Sequence, residues 1–206
     1  QSIEPVNDAM ERDWPECVRM HLVDDSLSAD LAVAGGVADE AMHERFLELG
    51  DYAASTGIDG ILFTCSAFGT CIDRVVARLA PLPVLKPNEA MIREAAGGRY
   101  PIGLLATFRP TIASMLLEFP SGIEVHPRFV DGAMDALRAG EFESHDALIA
   151  EAAKGLRAQG CGTIALAQFS MARAAPRVRR TVDVPVLTTV DSAVRELRHR
   201  VMAKAT

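Results

Sequence analysis

The sequence predicts an α/β fold of two similar domains, each a small parallel sheet flanked by helices, with the site in the cleft between them. Three observations lead there. Short apolar runs alternate with helical patterns along the chain, and such alternation implies parallel sheets covered on both faces. Several short segments recur in order at nearly constant spacing, which implies a duplicated half. The composition, 49% hydrophobic and 24% charged over 206 residues, belongs to a globular chain able to bury a core.

The repeat is read from four anchors. His43-Glu44 recurs as His145-Asp146, Pro83-Val84-Leu85 as Pro185-Val186-Leu187, and Arg93-Glu94 as Arg195-Glu196, each 102 residues on. Arg74-Val75 recurs 103 residues on as Arg177-Val178, so one residue is inserted locally. The expected division gives residues 1–96 with 185–206 to the first domain and 97–184 to the second, the last helix packing back on the first.

Strands are expected at Val18–Val23, Gly60–Thr64, Pro83–Leu85, Ile102–Ala106, Ile123–Val130, Thr163–Ala167 and Val184–Thr188, each a short apolar run. Helices are expected at Ile3–Arg12, Glu40–Ser55, Ala67–Leu79, Asn88–Ala96, Thr111–Phe119, His145–Ala158 and Asp191–Val201, where apolar residues fall at helical spacing. The second half then holds four strands and the first half three. By the repeat, a strand equivalent to Ile102–Ala106 is expected before Gln1.

Charge and cysteines narrow the function. A net charge of −7 argues against nucleic-acid binding, which needs a basic face. No apolar run approaches the roughly 20 residues that span a bilayer. The opening residues lack the charged-apolar-small pattern of a secretory leader. Cys17, Cys65, Cys71 and Cys161 show no framework spacing and fit reduced thiols in the cytoplasm. No metal-ligand spacing occurs around them, so neither metal nor cofactor is expected.

Sites in such folds lie at the carboxyl ends of strands. Cys65 is the leading candidate there. It closes the run Gly60-Ile61-Leu62-Phe63-Thr64 and opens a helical pattern, a setting that favours a thiolate. The other three cysteines lack that setting and read as inert. The matching stretch of the second half, Thr163-Ile164-Ala165-Leu166-Ala167-Gln168, carries Gln168 where a thiol would sit. Thr64, Ser66, Thr107, Gln168 and Ser170 complete the expected substrate-binding set. Thr107 and Thr111 also bracket a helix start, where capping is the plain alternative. Asp191 and Ser192 read as caps of the final helix, Asp24-Asp25 as a solvated loop, and His43 and His145 as surface or packing residues. Lys86 and Arg109 are the nearest cations.

These stretches resemble a known family. Thr64-Cys65-Ser66 is similar to the first cysteine motif of the aspartate/glutamate/hydantoin racemase superfamily, which includes maleate isomerase and arylmalonate decarboxylase. Ile102-Gly103-Leu104-Leu105-Ala106-Thr107 resembles the strand-and-threonine motif that opens its second domain. Ala167-Gln168-Phe169-Ser170-Met171-Ala172 resembles its second motif, with Gln168 in place of cysteine. The resemblance implies cofactor-independent proton transfer at a carbon beside a carboxylate, and a possible homodimer. Two thiols on opposite faces racemise such a carbon; Gln168 is neither acid nor base near neutral pH, so Cys65 stands alone. Three readings follow: a racemase or isomerase of a small acid or amino-acid derivative, a single-cysteine decarboxylase, and a non-catalytic carboxylate binder. A cysteine amidohydrolase is weaker, because Phe63 and Ala67 occupy the glycine positions of its usual elbow.

Overall fold

The computed structural model describes residues 2–204. In chain order the elements are α1 (Ile3–Asp13), α2 (Leu27–Val33), α3 (Glu40–Ser55), β1 (Ile61–Leu62), a first 3-10 turn (Ser66–Phe68), α4 (Gly69–Leu79), β2 (Val84–Leu85) and α5 (Glu89–Ala96). There follow β3 (Ile102–Ala106), α6 (Arg109–Glu118), β4 (Val125–Phe129), α7 (Ala133–Arg138), α8 (Phe142–Ala158), β5 (Thr163–Leu166), a second 3-10 segment (Phe169–Ala174), α9 (Ala175–Thr181), β6 (Val186–Thr188) and α10 (Thr189–Lys204).

Two parallel sheets result. One is the pair β1-β2; the other is four-stranded in the order β4-β3-β5-β6. The fold class is the α/β class read from the sequence, and all pairings among the described strands are parallel.

Strand alternation sorts the larger sheet's side chains into two layers. Leu105, Ile164 and Leu166 pack with Ile149, Ala153 and Leu156 of α8. Leu104, Ala106, Ala165 and Ala167 pack on the other face with Met91 of α5 and Met115 of α6. Gly103 lets α8 lie close: a side chain there would meet Leu156 and Ile164 at 2.9 Å. The smaller sheet is covered on one side by α1 and α10 through Leu85, Val190, Val194 and Leu197. On the other side Phe46 of α3 and Ile72 and Val75 of α4 close over Val84.

Three expectations differ. Val18–Val23 forms no strand and is exposed throughout, Val18 at 89%. Its apolar residues pair with no neighbouring ladder among the described residues, and a strand without a ladder is not held. Helices α2, α7 and α9 lie where none was expected; at six or seven residues each is too short to show a period. Finally, the division placed at 185 falls at β6, which pairs with β5 and completes the four-stranded sheet, while α10 packs on β1-β2.

Reciprocal ion pairs join α5 and α10. Arg93 meets Glu196 at 2.8 Å and Arg195 meets Glu94 at 2.8 Å. The buried Asp191 accepts from Arg12 of α1 at 2.8 Å and from Arg179 of α9 at 3.0 Å, tying three helices together. Thr188, not Asp191, caps α10: its hydroxyl accepts the Asp191 N–H at 3.0 Å. Ser192 donates to Glu94 at 2.6 Å.

Candidate active site

Cys65 lies three residues beyond β1 in extended backbone, φ −125° and ψ 121°, and leads into the first 3-10 turn. Of the four cysteines it alone is exposed; Cys17 is half-buried, and Cys71 and Cys161 are buried. Thr64 beside it is exposed and Ser66 half-buried. The expected shift toward thiolate is reversed. Atoms crowded around the sulfur desolvate it and push its pKa up, while the nearby Ala67 N–H pulls back by a smaller amount. A short 3-10 turn follows Cys65, and α4 starts only at Gly69. Burial also raises the other three thiols. Exposure, rather than acidity, sets Cys65 apart.

Gln168 lies two residues beyond β5 in similar extended backbone, φ −136° and ψ 145°, and leads into the second 3-10 segment. Its side chain reaches β3. The Thr107 N–H donates to Gln168 Oε1 at 2.6 Å, and the Thr107 hydroxyl donates to the same oxygen at 3.0 Å. A backbone N–H only donates, so this bond fixes which end of the carboxamide is oxygen. The other end of the Gln168 carboxamide is therefore its NH2 group, a donor. Thr107 is buried and holds Gln168 with both its donors, rather than capping α6. Ser170 is half-buried in the second 3-10 segment.

The neighbourhoods of the two strand ends are linked by packing. Helix α6, which follows β3 and Thr107, packs against the turn that follows Cys65. Lys86, beyond β2, is engaged by Asp73 at 2.9 Å. Arg109, at the start of α6, lies over the Phe129 ring at 4.0 Å. Both cations expected near the site are thus occupied.

Buried side-chain atoms without a hydrogen-bond partner, among the described residues, are Asn88 Nδ2, His145 Nε2 and Thr189 Oγ1. Asn88 follows β2 and Thr189 follows β6, both at carboxyl ends of strands. His145, expected at the surface or in packing, is fully buried in the second turn of α8. No group of three or more His, Cys, Asp or Glu side chains suited to a metal occurs among the described residues.

In open parallel sheets ligands bind outside the carboxyl ends of the strands, and here those ends lead into an exposed thiol and a pinned carboxamide. The Asp/Glu/hydantoin racemase family model matches residues 5–197, and the chain belongs to that family. Solved structures share the fold. An aspartate racemase homologue from Pyrococcus horikoshii superposes with a TM-score of 0.72 at 14% identity, over 98% of this chain and 94% of that one. Glutamate racemase from Francisella tularensis, solved with D-glutamate, gives 0.65 at 13% identity, over 98% and 77%. Allantoin racemase from Klebsiella pneumoniae gives 0.64 at 24% identity, over 77% of this chain and 65% of that one. Among curated proteins no relative matches the chain.

Proposed function

We propose that the chain is a cofactor-independent racemase or isomerase that moves a proton at the carbon beside the carboxylate of a small acid or amino-acid derivative. Cys65 is the proton-transfer thiol. Gln168 donates from Nε2 to the oxygen on which charge gathers when that carbon loses its proton. Thr64, Ser66 and Ser170 supply hydroxyls, and backbone N–H groups at the helix starts receive the carboxylate. The observation that supports this reading is one exposed thiol beyond β1 together with, beyond β5, a carboxamide whose oxygen is already engaged by Thr107. Such a carboxamide is a donor, and an enolate needs a donor.

One feature favours a second reading. Gln168 neither takes nor gives a proton, and a single thiol suffices to reprotonate a carbanion after loss of CO₂. The alternative is a single-cysteine decarboxylase of malonate-like acids; a relative that only binds carboxylates is the third reading. One experiment separates them: incubation in D2O with both enantiomers of aspartate, glutamate and allantoin, and separately with an arylmalonate. Deuterium at the carbon next to the carbonyl supports the first reading. CO₂ release from the malonate supports the second. Binding without either reaction sinks both.

A further inference from the structure

The repeat makes β1 the counterpart of β5. Ile61 pairs with Val84 as Ile164 pairs with Val186, and Leu62 pairs with Leu85 as Ala165 pairs with Leu187. The bonds match as well: the Ile61 N–H donates to the Pro83 carbonyl at 2.8 Å, and the Ile164 N–H to the Pro185 carbonyl at 2.9 Å. The opposite edges differ. There β5 carries β3 in parallel, and the Ala167 N–H donates to the Leu105 carbonyl at 2.9 Å. On that edge β1 carries no strand among the described residues. The Ile61 and Phe63 N–H groups donate to Pro83 and Leu85, on the β2 side. Alternation along the strand therefore turns the Leu62 and Thr64 N–H groups to the free edge.

The surroundings of this edge are apolar. Leu62 packs against the cluster of α1 and α10. On the other face Phe63 stacks on Phe46 of α3 with ring centroids 5.6 Å apart, and Leu27 and Leu31 of α2 join the same cluster. Residues 18–23 stand in the chain order of the repeat where β4 stands, and β4 is the far neighbour of β3. Their stretch begins after Cys17, which packs against the same cluster as Leu62, and ends at Asp24, which accepts from Arg45 of α3 at 2.6 Å. Between these anchors they make no backbone–backbone bond among the described residues, and Val18, Met20, Leu22 and Val23 are exposed. Unpaired edge groups beside uncovered apolar side chains are a template for one more strand.

We propose that the free edge of β1 is a docking site for an uncharged, apolar peptide strand, added parallel to β1 as β3 is to β5. The occupant's chemistry follows from β3, whose five residues are all buried. A parallel strand covered on both faces must be apolar along its length. Main-chain hydrogen bonds to Leu62 and Thr64 supply the pairing, and the apolar clusters on the two faces select the side chains. Docking also bears on the exposed thiol. Thr107, the residue after β3, donates to Gln168, and the residue after a docked strand stands in the same way to Cys65. The inference is independent of the reaction proposed above.

The test uses the full chain and a synthetic peptide copying residues 101–107, with lysines added at its amino end for solubility. Affinity is read by titration calorimetry and pairing by amide hydrogen exchange. Saturating peptide is expected to slow exchange at Leu62 and Thr64 by roughly tenfold or more. Leu105 faces β5 in the second sheet, since its carbonyl accepts from Ala167, so its counterpart in the peptide faces β1. The same peptide N-methylated at that position is expected to bind about tenfold more weakly or worse, because it loses a donor and keeps every side chain. Equal binding of the two peptides means adhesion through side chains alone and overturns the proposal. Binding without protection of Leu62 and Thr64 does the same, as does no binding. A chain that is dimeric without peptide, with those two amides already protected, gives the edge to a second copy and overturns it too.

Discussion

The ends of β1 and β5 share a backbone and differ in chemistry. Beyond each strand an extended residue opens a 3-10 turn, yet one presents an exposed thiol and the other a carboxamide tied to Thr107 at the end of the neighbouring strand. The difference teaches that one scaffold can present a reacting group at one strand end and a fixed donor at the other. A thiol has one heavy atom to place, so extended backbone alone aims it. A carboxamide has two different ends, and it needs a partner such as Thr107 to decide which faces out.

The sharpest way to break the comparison is to remove the thiol. Cys65→Ala is expected to lower turnover about a thousandfold or more, measured as racemisation or exchange of the substrate found in the D2O screen. Retained activity would falsify the assignment of the reacting end to β1. Gln168→Ala is expected to cost about a hundredfold in kcat. It also leaves the Thr107 N–H buried and unpaired, a penalty of about 1–3 kcal/mol that lowers Tm by several degrees. A drop in Tm with unchanged kcat would make Gln168 a structural residue only.

Thr107→Val tests the tie itself. The backbone bond survives and the hydroxyl bond is lost, so a fall of roughly tenfold or less in kcat/KM is expected with KM moving more than the melting temperature. The pH dependence of Cys65 separates acidity from exposure. With its pKa raised, the thiolate is the minor form near neutrality, so alkylation by iodoacetamide should climb with pH through and above the range of a free thiol. A plateau below that range would show a thiol activated by something outside this structure. The smallest effect concerns Cys17: Cys17→Ala should leave activity within a few-fold, and a large loss there would undo the contrast between exposed and incidental thiols.

Sequence reasoning reached the strand ends and missed the link between them. Cys65 and Gln168 were legible because an apolar run closing on a polar residue marks a strand end whatever surrounds it. The tie between Thr107 and Gln168 was not, since it joins residues 61 apart and depends on β3 and β5 being neighbours. Val18–Val23 shows the opposite failure. Its apolar pattern is that of a strand, but a strand is a property of a ladder, and the pattern carries no information about its partner. Helix α7 is bracketed by Gly132 and Gly140, both at positive φ, and its six residues give one face too few positions to read. His145, read as a surface or packing residue, is buried, and a lone histidine in an amphipathic helix gives no sign of which way its ring turns.

Helix α10 has a consequence for how the molecule is made. It touches β1, β2, β6, α1 and α5, and its apolar residues Val190, Val194 and Leu197 cover Leu85 and approach Leu62 of the first sheet. Leu197 comes within 2.9 Å of where a side chain at Gly60 would begin. A ribosome that has synthesised the chain up to residue 188 has therefore delivered β1 to β6 but not the cover of β1 and β2. Domains generally fold in the order they emerge, and here β1 and β2 must wait for α10. Nascent chains stalled before α10 clears the exit tunnel should be cut by protease around β1 and β2, while chains stalled after it should resist.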